Sequence, residues 1–430
     1  MAPTDAKPDA KLPVFVYIQG GGFNTNSNPN INASGIILAA DKDLIVVGMN
    51  YRVGPYGFLT NGDLVTANNG LRDQRKAMEW VQKNIASFGG DPERVVVGGT
   101  SAGGASVVIH LLAENGMDQG LFRGAIASSP SFAQTLTVKQ AQYQYNQFAT
   151  RLGCAVKDSL ACLRNKTAEE VQTQNFNIPL PGGAKPPLYQ WLPVLDFDFI
   201  TDYSYRAFRE GKFVRVPTIF GDDTNGGTQF APKNASTLAA SNSFLLDQYT
   251  TLSPADLGEI DELYPNPNDT CPALGCYWRQ ASNMYQEVRY MCPSLHANAI
   301  LAASNLTTYA YQYNVEDPDQ IADGMGVPHT ADLDALLGYE YSDGAPESLA
   351  PGELNERATP VIQGYWTSFM RTLDPNKYRE EGTARWETWG GSRQDRMVLG
   401  TAGKTEMVDI GDGLRTRCNY WVKKAPDMMV

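Results

Sequence analysis

Val95-Val96-Val97-Gly98-Gly99-Thr100-Ser101-Ala102-Gly103-Gly104-Ala105-Ser106-Val107-Val108 is the stretch on which the reading of the whole chain depends. Three consecutive valines predict a strand buried on both faces, as in a parallel sheet. Gly99, Ser101 and Gly103 then form Gly-x-Ser-x-Gly, and small residues open a helix. A strand that turns sharply into a helix at a serine is a nucleophile elbow. The turn forces the serine into a strained backbone conformation, and a Cβ two residues to either side would strike the neighbouring strand or helix. It also sets Ser101 at a helix N-terminus, where peptide dipoles favour developing negative charge. A bare Gly-x-Ser-x-Gly arises by chance in a Gly-rich chain, but here the strand and helix that the motif requires flank it.

Outward from the elbow, Val14–Ile18 is an apolar strand that ends in Gln19-Gly20-Gly21-Gly22-Phe23. Consecutive glycines leave amides able to approach a ligand closely, and two such N–H groups can receive an oxyanion. Leu44–Met49 predicts a further buried strand. Residues Leu71 to Phe88 have helical periodicity, with Ala77, Trp80, Val81 and Ile85 on one face. Gly89-Gly90-Asp91-Pro92 stops that helix, and the elbow strand follows. This alternation predicts an α/β fold with a mostly parallel, doubly wound central sheet and helices on both faces. Strands are also expected at Gly124–Ser129, Val216–Gly221 and Thr307–Tyr313. Residues 133–180 are expected to be helical and irregular and residues 240–300 mostly helical, and Gln190–Asp196 is a loop suited to line a pocket. Ala358–Arg371 predicts a helix, after which the chain is expected to end in short elements. With no internal repeat or linker, residues 1–430 are expected to form one domain.

Lys and Arg number 35 against 47 Asp and Glu, a formal charge of -12. That balance argues against nucleic acid and against an anionic membrane surface as partners. No apolar run approaches the roughly 18 residues of a membrane helix. The six cysteines are Cys154, Cys162, Cys271, Cys276, Cys292 and Cys418. An even count fits three disulfides, and spacing alone leaves their pairing open. Asn32, Asn165, Asn234, Asn268 and Asn305 begin glycosylation sequons. Sequons and paired cysteines together point to the secretory route, although residues 1–12 hold no apolar signal core.

The chain has 3 histidines, so a general base can be sought by elimination. His110 lies on the elbow helix, too far along it to meet Ser101. His296 sits in a Cys/Leu/Ala helix. His329 follows Gly326-Val327-Pro328 on a loop after a late strand, where the order Ser…acid…His of an elbow hydrolase puts its base. No His-x3-His or Cys-x2-Cys spacing suggests a metal, and no cofactor signature is present.

Taken together, YIQGGGF (17–23), NYRVGPYGFL (50–59), NNGLRDQRKAMEWVQKNIASFGGDP (68–92), GTSAGGASV (99–107), GLFRGAIASS (120–129), GVPHTADL (326–333) and YWTSFMRTLDPN (365–376) resemble the type-B carboxylesterase family, the cholinesterase-like and fungal lipase-like α/β-hydrolases. The resemblance implies an acyl-enzyme on Ser101, His329 as base, and an oxyanion hole of the Gly21, Gly22 and Ala102 amides. It implies the bridges Cys154–Cys162 and Cys292–Cys418, and a buried Arg52–Asp73 ion pair. A Cys271–Cys276 bridge lies outside the shared pattern and is expected from proximity alone.

Four departures from the family pattern carry expectations. The family's segment upstream of the triple glycine, with a signal peptide and early strands, has no counterpart here. The chain is therefore expected to be truncated at its N-terminus, leaving Leu44–Met49 at an open sheet edge. Gln19 replaces a histidine before the triple glycine. Thr100 replaces a glutamate before the nucleophile, and the aromatic choline site would belong to the upstream segment, so choline esters are not the expected substrate. Gly226 stands where the resemblance puts the glutamate of the triad. Loss of the acid lowers the rate by about 10⁴ in one well-studied enzyme without abolishing catalysis. Asp222 and Asp223 in the same turn, and Asp323 before the histidine loop, are alternative acids, with Asp223 preferred. The expected function is hydrolysis of neutral or hydrophobic esters, from small molecules or lipids. The alternative is a non-catalytic binding protein on the same fold.

Overall fold

The computed structural model describes all residues except 5, 8, 27–30, 63, 267–273 and 391–393. Its strands are β1 (Leu12–Ile18), β2 (Ile45–Met49), β3 (Gly90–Thr100), β4 (Gly124–Ser128), β5 (Thr218–Asp223), β6 (Thr308–Asn314), β7 (Asp395–Gly400) and β8 (Lys404–Asp409). They form one sheet in the order β2-β1-β3-β4-β5-β6-β7-β8. Every pairing is parallel except β7 with β8.

Period-2 alternation divides the strand side chains between two cores. Val14, Val16, Ile18, Val95 and Val97 pack on one face under helices Asn69–Asn84, Ala102–Gly116, Cys292–Ala303 and Asp412–Met428. Phe15, Tyr17, Val46, Val96 and Ile126 pack on the other under Ser34–Ala39, Ala331–Leu337 and Ala358–Thr372. The strand order reverses between β1 and β3, so the crevice beyond their carboxyl ends is the switch point where ligands bind in open α/β sheets. β2 is an edge strand, as expected. Its outer side meets the backbone of Met1, which exchanges two hydrogen bonds with Val46 at 2.6 and 3.0 Å.

Some expectations are corrected. Trp80 is 48% exposed, and the buried stripe of its helix is Leu71, Gln74, Met78 and Val81. Arg52 and Asp73 do pair through both carboxylate oxygens, at 2.7 Å each, but the arginine side chain is 52% exposed, so the pair is not buried. The chain does not end in short elements: Asp412–Met428 is a 17-residue helix. Cys154–Cys162 and Cys292–Cys418 are bonded, and the second ties that last helix to Cys292–Ala303. Cys276 is also a half-cystine, and its expected partner Cys271 lies outside the described residues, as does Asn268. The sequon residues Asn32, Asn165, Asn234 and Asn305 are exposed. No helix among the described residues is long and apolar enough to cross a membrane.

Candidate active site

Ser101 terminates β3 with φ 62° and ψ −121° and precedes the helix Ala102–Gly116. A left-handed φ at a non-glycine residue is backbone strain, held here by Ser101 N–H donating to Ser128 O at 3.0 Å and Ala105 N–H donating to Ser101 O at 2.8 Å. The glycines of the motif are required sterically. A Cβ on Gly103 would lie 2.0 Å from Ile18 O, and one on Gly99 2.5 Å from the backbone of Gly103.

The Gly20–Gly22 turn follows β1, whose Ile18 is in register with Gly99, so the triple glycine and the elbow arrive side by side. Gly21 and Gly22 have φ of 94° and 61°, and the space a Gly22 side chain would need is filled by the Tyr189 ring. Among the described residues the N–H groups of Gly21, Gly22 and Ala102 donate to no acceptor. Ser101, the triple glycine and His329 line one cavity of about 370 Å³, with Tyr17, Gln19, Thr100, Tyr189, Phe230 and Leu333 completing much of its wall.

His329 is buried against Tyr290 and Phe230, ring centroids 4.4 and 5.2 Å away. Burial, and then the nearby Arg289 cation, push its pKa down to about 3. Neither ring nitrogen has a hydrogen-bond partner among the described residues. The loop carrying it hangs from the turn after β5. Asn225 N–H donates to Val327 O at 2.8 Å, and Asn225 Oδ1 accepts from Val327 N–H at 3.0 Å.

Asp223 does not face the imidazole. Its carboxylate accepts from the Thr330 and Asp332 amides at 2.9 and 3.0 Å and from Ser129 Oγ at 3.1 Å. Burial, and then Asp332, raise its pKa well above the carboxylate range. Asp332 in turn accepts from Ser128 Oγ and Tyr311 OH, at 2.5 and 2.7 Å. Asp222 points to the opposite side of β5, where burial raises its pKa to about 7 against the pull of Arg396. Asp323 is exposed at the end of Pro318–Ala322. None of the three candidate acids therefore pairs with His329. Beside Nδ1 stands Gly226, whose ideal Cβ would lie 3.7 Å away.

The other histidines are accounted for elsewhere. His110 Nε2 bonds Gln74 Oε1 at 3.0 Å, and His296 stacks on Tyr205 with centroids 4.8 Å apart. Asp332, Asn225 and Arg289 were missed in the sequence. Only Asp332 had a signal, an acid three residues beyond His329.

A doubly wound parallel sheet with a serine elbow at its switch point and a histidine on a late loop defines the α/β-hydrolase class. The family model "Carboxylesterase family" matches residues 1–421. Lipase 1 of Geotrichum candidum is 31% identical over 95% of this chain and 74% of its own length. Secreted lipase 4 of Gibberella zeae is 28% identical over 96% of this chain and 75% of its own. The crystal structure of Aspergillus niger EstA superposes with a TM-score of 0.93 at 36% identity, covering 100% of this chain and 83% of that one. The chain belongs to the carboxylesterase family.

Proposed function

We propose that this protein hydrolyses carboxylic esters through an acyl-enzyme on Ser101. The observation that supports it is the shared cavity: a strained serine, unpartnered amides and a neutral buried histidine open onto the same space. Ser101 Oγ attacks the acyl carbon while His329 takes its proton, and the Gly21, Gly22 and Ala102 amides receive the oxyanion. The imidazolium then protonates the leaving alcohol. Water, activated by the same histidine, releases the acid and restores the serine. No cofactor enters these steps. Asp223 is assigned to positioning, since its carboxylate grips the backbone just past His329. The disulfides, the exposed sequons and the secreted relative support a secreted protein.

A fluorophosphonate probe followed by intact-mass analysis tests the reading. One adduct is expected, absent from Ser101→Ala and from His329→Ala and retained in His296→Phe. Gly226 beside the histidine favours one other reading, a non-catalytic binding protein. Folded protein that takes no label would establish that reading in place of the hydrolase.

A further inference from the structure

Arg289 is a buried cation that the proposed chemistry does not use. It lies 4% exposed among Tyr249, Tyr285 and Tyr290, and no carboxylate among the described residues pairs with it. Its Nε–H donates to Ser131 Oγ at 2.7 Å, and Ser131 N–H donates to Ser101 O at 3.3 Å, so it sits one residue away from the elbow. The guanidinium lines a second cavity of about 20 Å³, room for a small group and not for a whole substrate. Gln134 lines it too, 4% exposed, with an Nε2 amide that has no acceptor. Tyr189 borders both this cavity and the catalytic one.

Two buried donors line this small space: the Gln134 amide lacks an acceptor, and the Arg289 cation, held by Ser131 and Tyr249, lacks an anion among the described residues. A buried charge is tolerated when it is paired, and a guanidinium and an amide N–H on the wall of one cavity can each take an oxygen of a carboxylate. The nearby histidine makes the same demand. Its imidazolium must form close to Arg289 with no acid at position 226, so an anion bound to the arginine offsets the charge that opposes proton transfer.

We propose that Arg289 and Gln134 form a carboxylate subsite, and that the substrate is an ester whose acyl part ends in a carboxylate, a half-ester of a dicarboxylic acid. The proposal rests on the hydrolase reading for its reaction, but binding at the subsite does not. The carboxylate enters past Tyr189 while the ester carbonyl stays at Ser101. It is a bystander in the bond changes: the serine displaces the alcohol, and the dicarboxylic acid leaves on hydrolysis.

Mono-p-nitrophenyl glutarate and its neutral methyl ester, p-nitrophenyl methyl glutarate, separate the charge from the size of the acyl group. In the wild type the half-ester is expected to have a kcat/KM roughly ten- to a hundredfold higher, the worth of a charge-assisted hydrogen bond. Arg289→Gln should bring the ratio near one, and Gln134→Leu should lower it severalfold while leaving the cation in place. Arg289→Lys should keep part of the preference. Adding free acetate to the neutral ester distinguishes the two sources of a carboxylate. Stimulation that Arg289→Gln abolishes supports the subsite, filled by a separate anion.

Calorimetric titration of monomethyl glutarate into Ser101→Ala protein reads the subsite without catalysis. Binding there, lost on adding Arg289→Gln, upholds the subsite even if neither ester is hydrolysed, in which case the hydrolase reading alone fails. Equal hydrolysis of both esters with no binding overturns the subsite and leaves the hydrolase. If Arg289→Gln fails to fold, Gln134→Leu and the wild-type ratio decide.

Discussion

Gly226 faces the Nδ1 of a histidine that has no acceptor, and an ideal Cβ there meets nothing nearer than 3.7 Å. Its φ lies outside the left-handed region, so a side chain adds no backbone strain. Gly226→Glu is therefore expected to raise kcat on a short-chain nitrophenyl ester, by up to about 10⁴. KM should change little, because the acid acts on the imidazolium formed in the transition state. Asp223→Asn should behave differently. An amide cannot accept from Ser129, Thr330 and Asp332 together, so activity and melting temperature should fall in step. A fall in kcat with unchanged melting, and no gain from Gly226→Glu, would make Asp223 the acid after all. Strand alternation separates Asp222 from Asp223 in the sequence itself, since neighbours on β5 point to opposite faces. It does not say whether a carboxylate that points toward the histidine loop reaches the imidazole or the peptide groups beside it. That depends on the loop's path, which includes a left-handed Thr330 with φ 71° that no local pattern announces.

At the level of elements, the last helix carries its signal in the spacing of its apolar residues. Leu414, Cys418, Trp421, Ala425 and Met428 are its buried residues, a stripe at alternating spacings of four and three. The helix is held by Cys292–Cys418, whose sequence separation is 126, whereas Cys154–Cys162 closes a separation of only 8. In the chain-entropy picture the longer loop stabilises by about 5 kcal/mol and the shorter by about 2.5 kcal/mol. Cys292→Ala with Cys418→Ala should cost about twice as much stability in guanidinium titration as Cys154→Ala with Cys162→Ala. Equal losses would show that the bridge to the last helix does not act through loop closure. The elbow, the triple-glycine turn and the histidine loop were legible because each needs residue types with few substitutes. The helix over residues Asn69–Asn84 was legible in kind but rotated: Gln74 is buried where it meets His110, and Trp80 faces out.

For the molecule as a whole, the two cores bury all three histidines to different degrees, which ties folding to pH. Burial lowers His296 to about 4 and His329 to about 3, and lowers His110 well below its usual value. An unfolded histidine titrates near 6.5. Below that pH the unfolded chain gains protons that the native state refuses. This stability is therefore complete above pH 6.5 and is lost as pH falls towards the native values. His296→Phe keeps the stack on Tyr205 and removes one of these protons. Unfolding free energy measured by denaturant between pH 6.5 and 4 should then decline less steeply than in the parent; an unchanged slope would mean that His296 is not held neutral. The sheet also divides the site. Ser101 and the triple glycine, the proposed nucleophile and oxyanion amides, ride on neighbouring β3 and β1, while His329, the proposed base, hangs beyond β6 from the end of β5. Ser128 joins the two parts, its carbonyl accepting from Ser101 N–H and its hydroxyl donating to Asp332. The spacing between Ser101 and the histidine loop is thus gauged by one residue on β4, Ser128. A misplacement of about 1 Å can cost 10²-fold in rate. Warmth or mild denaturant that loosens this spacer would silence the protein while its strands were still paired, and cooling would restore it without refolding.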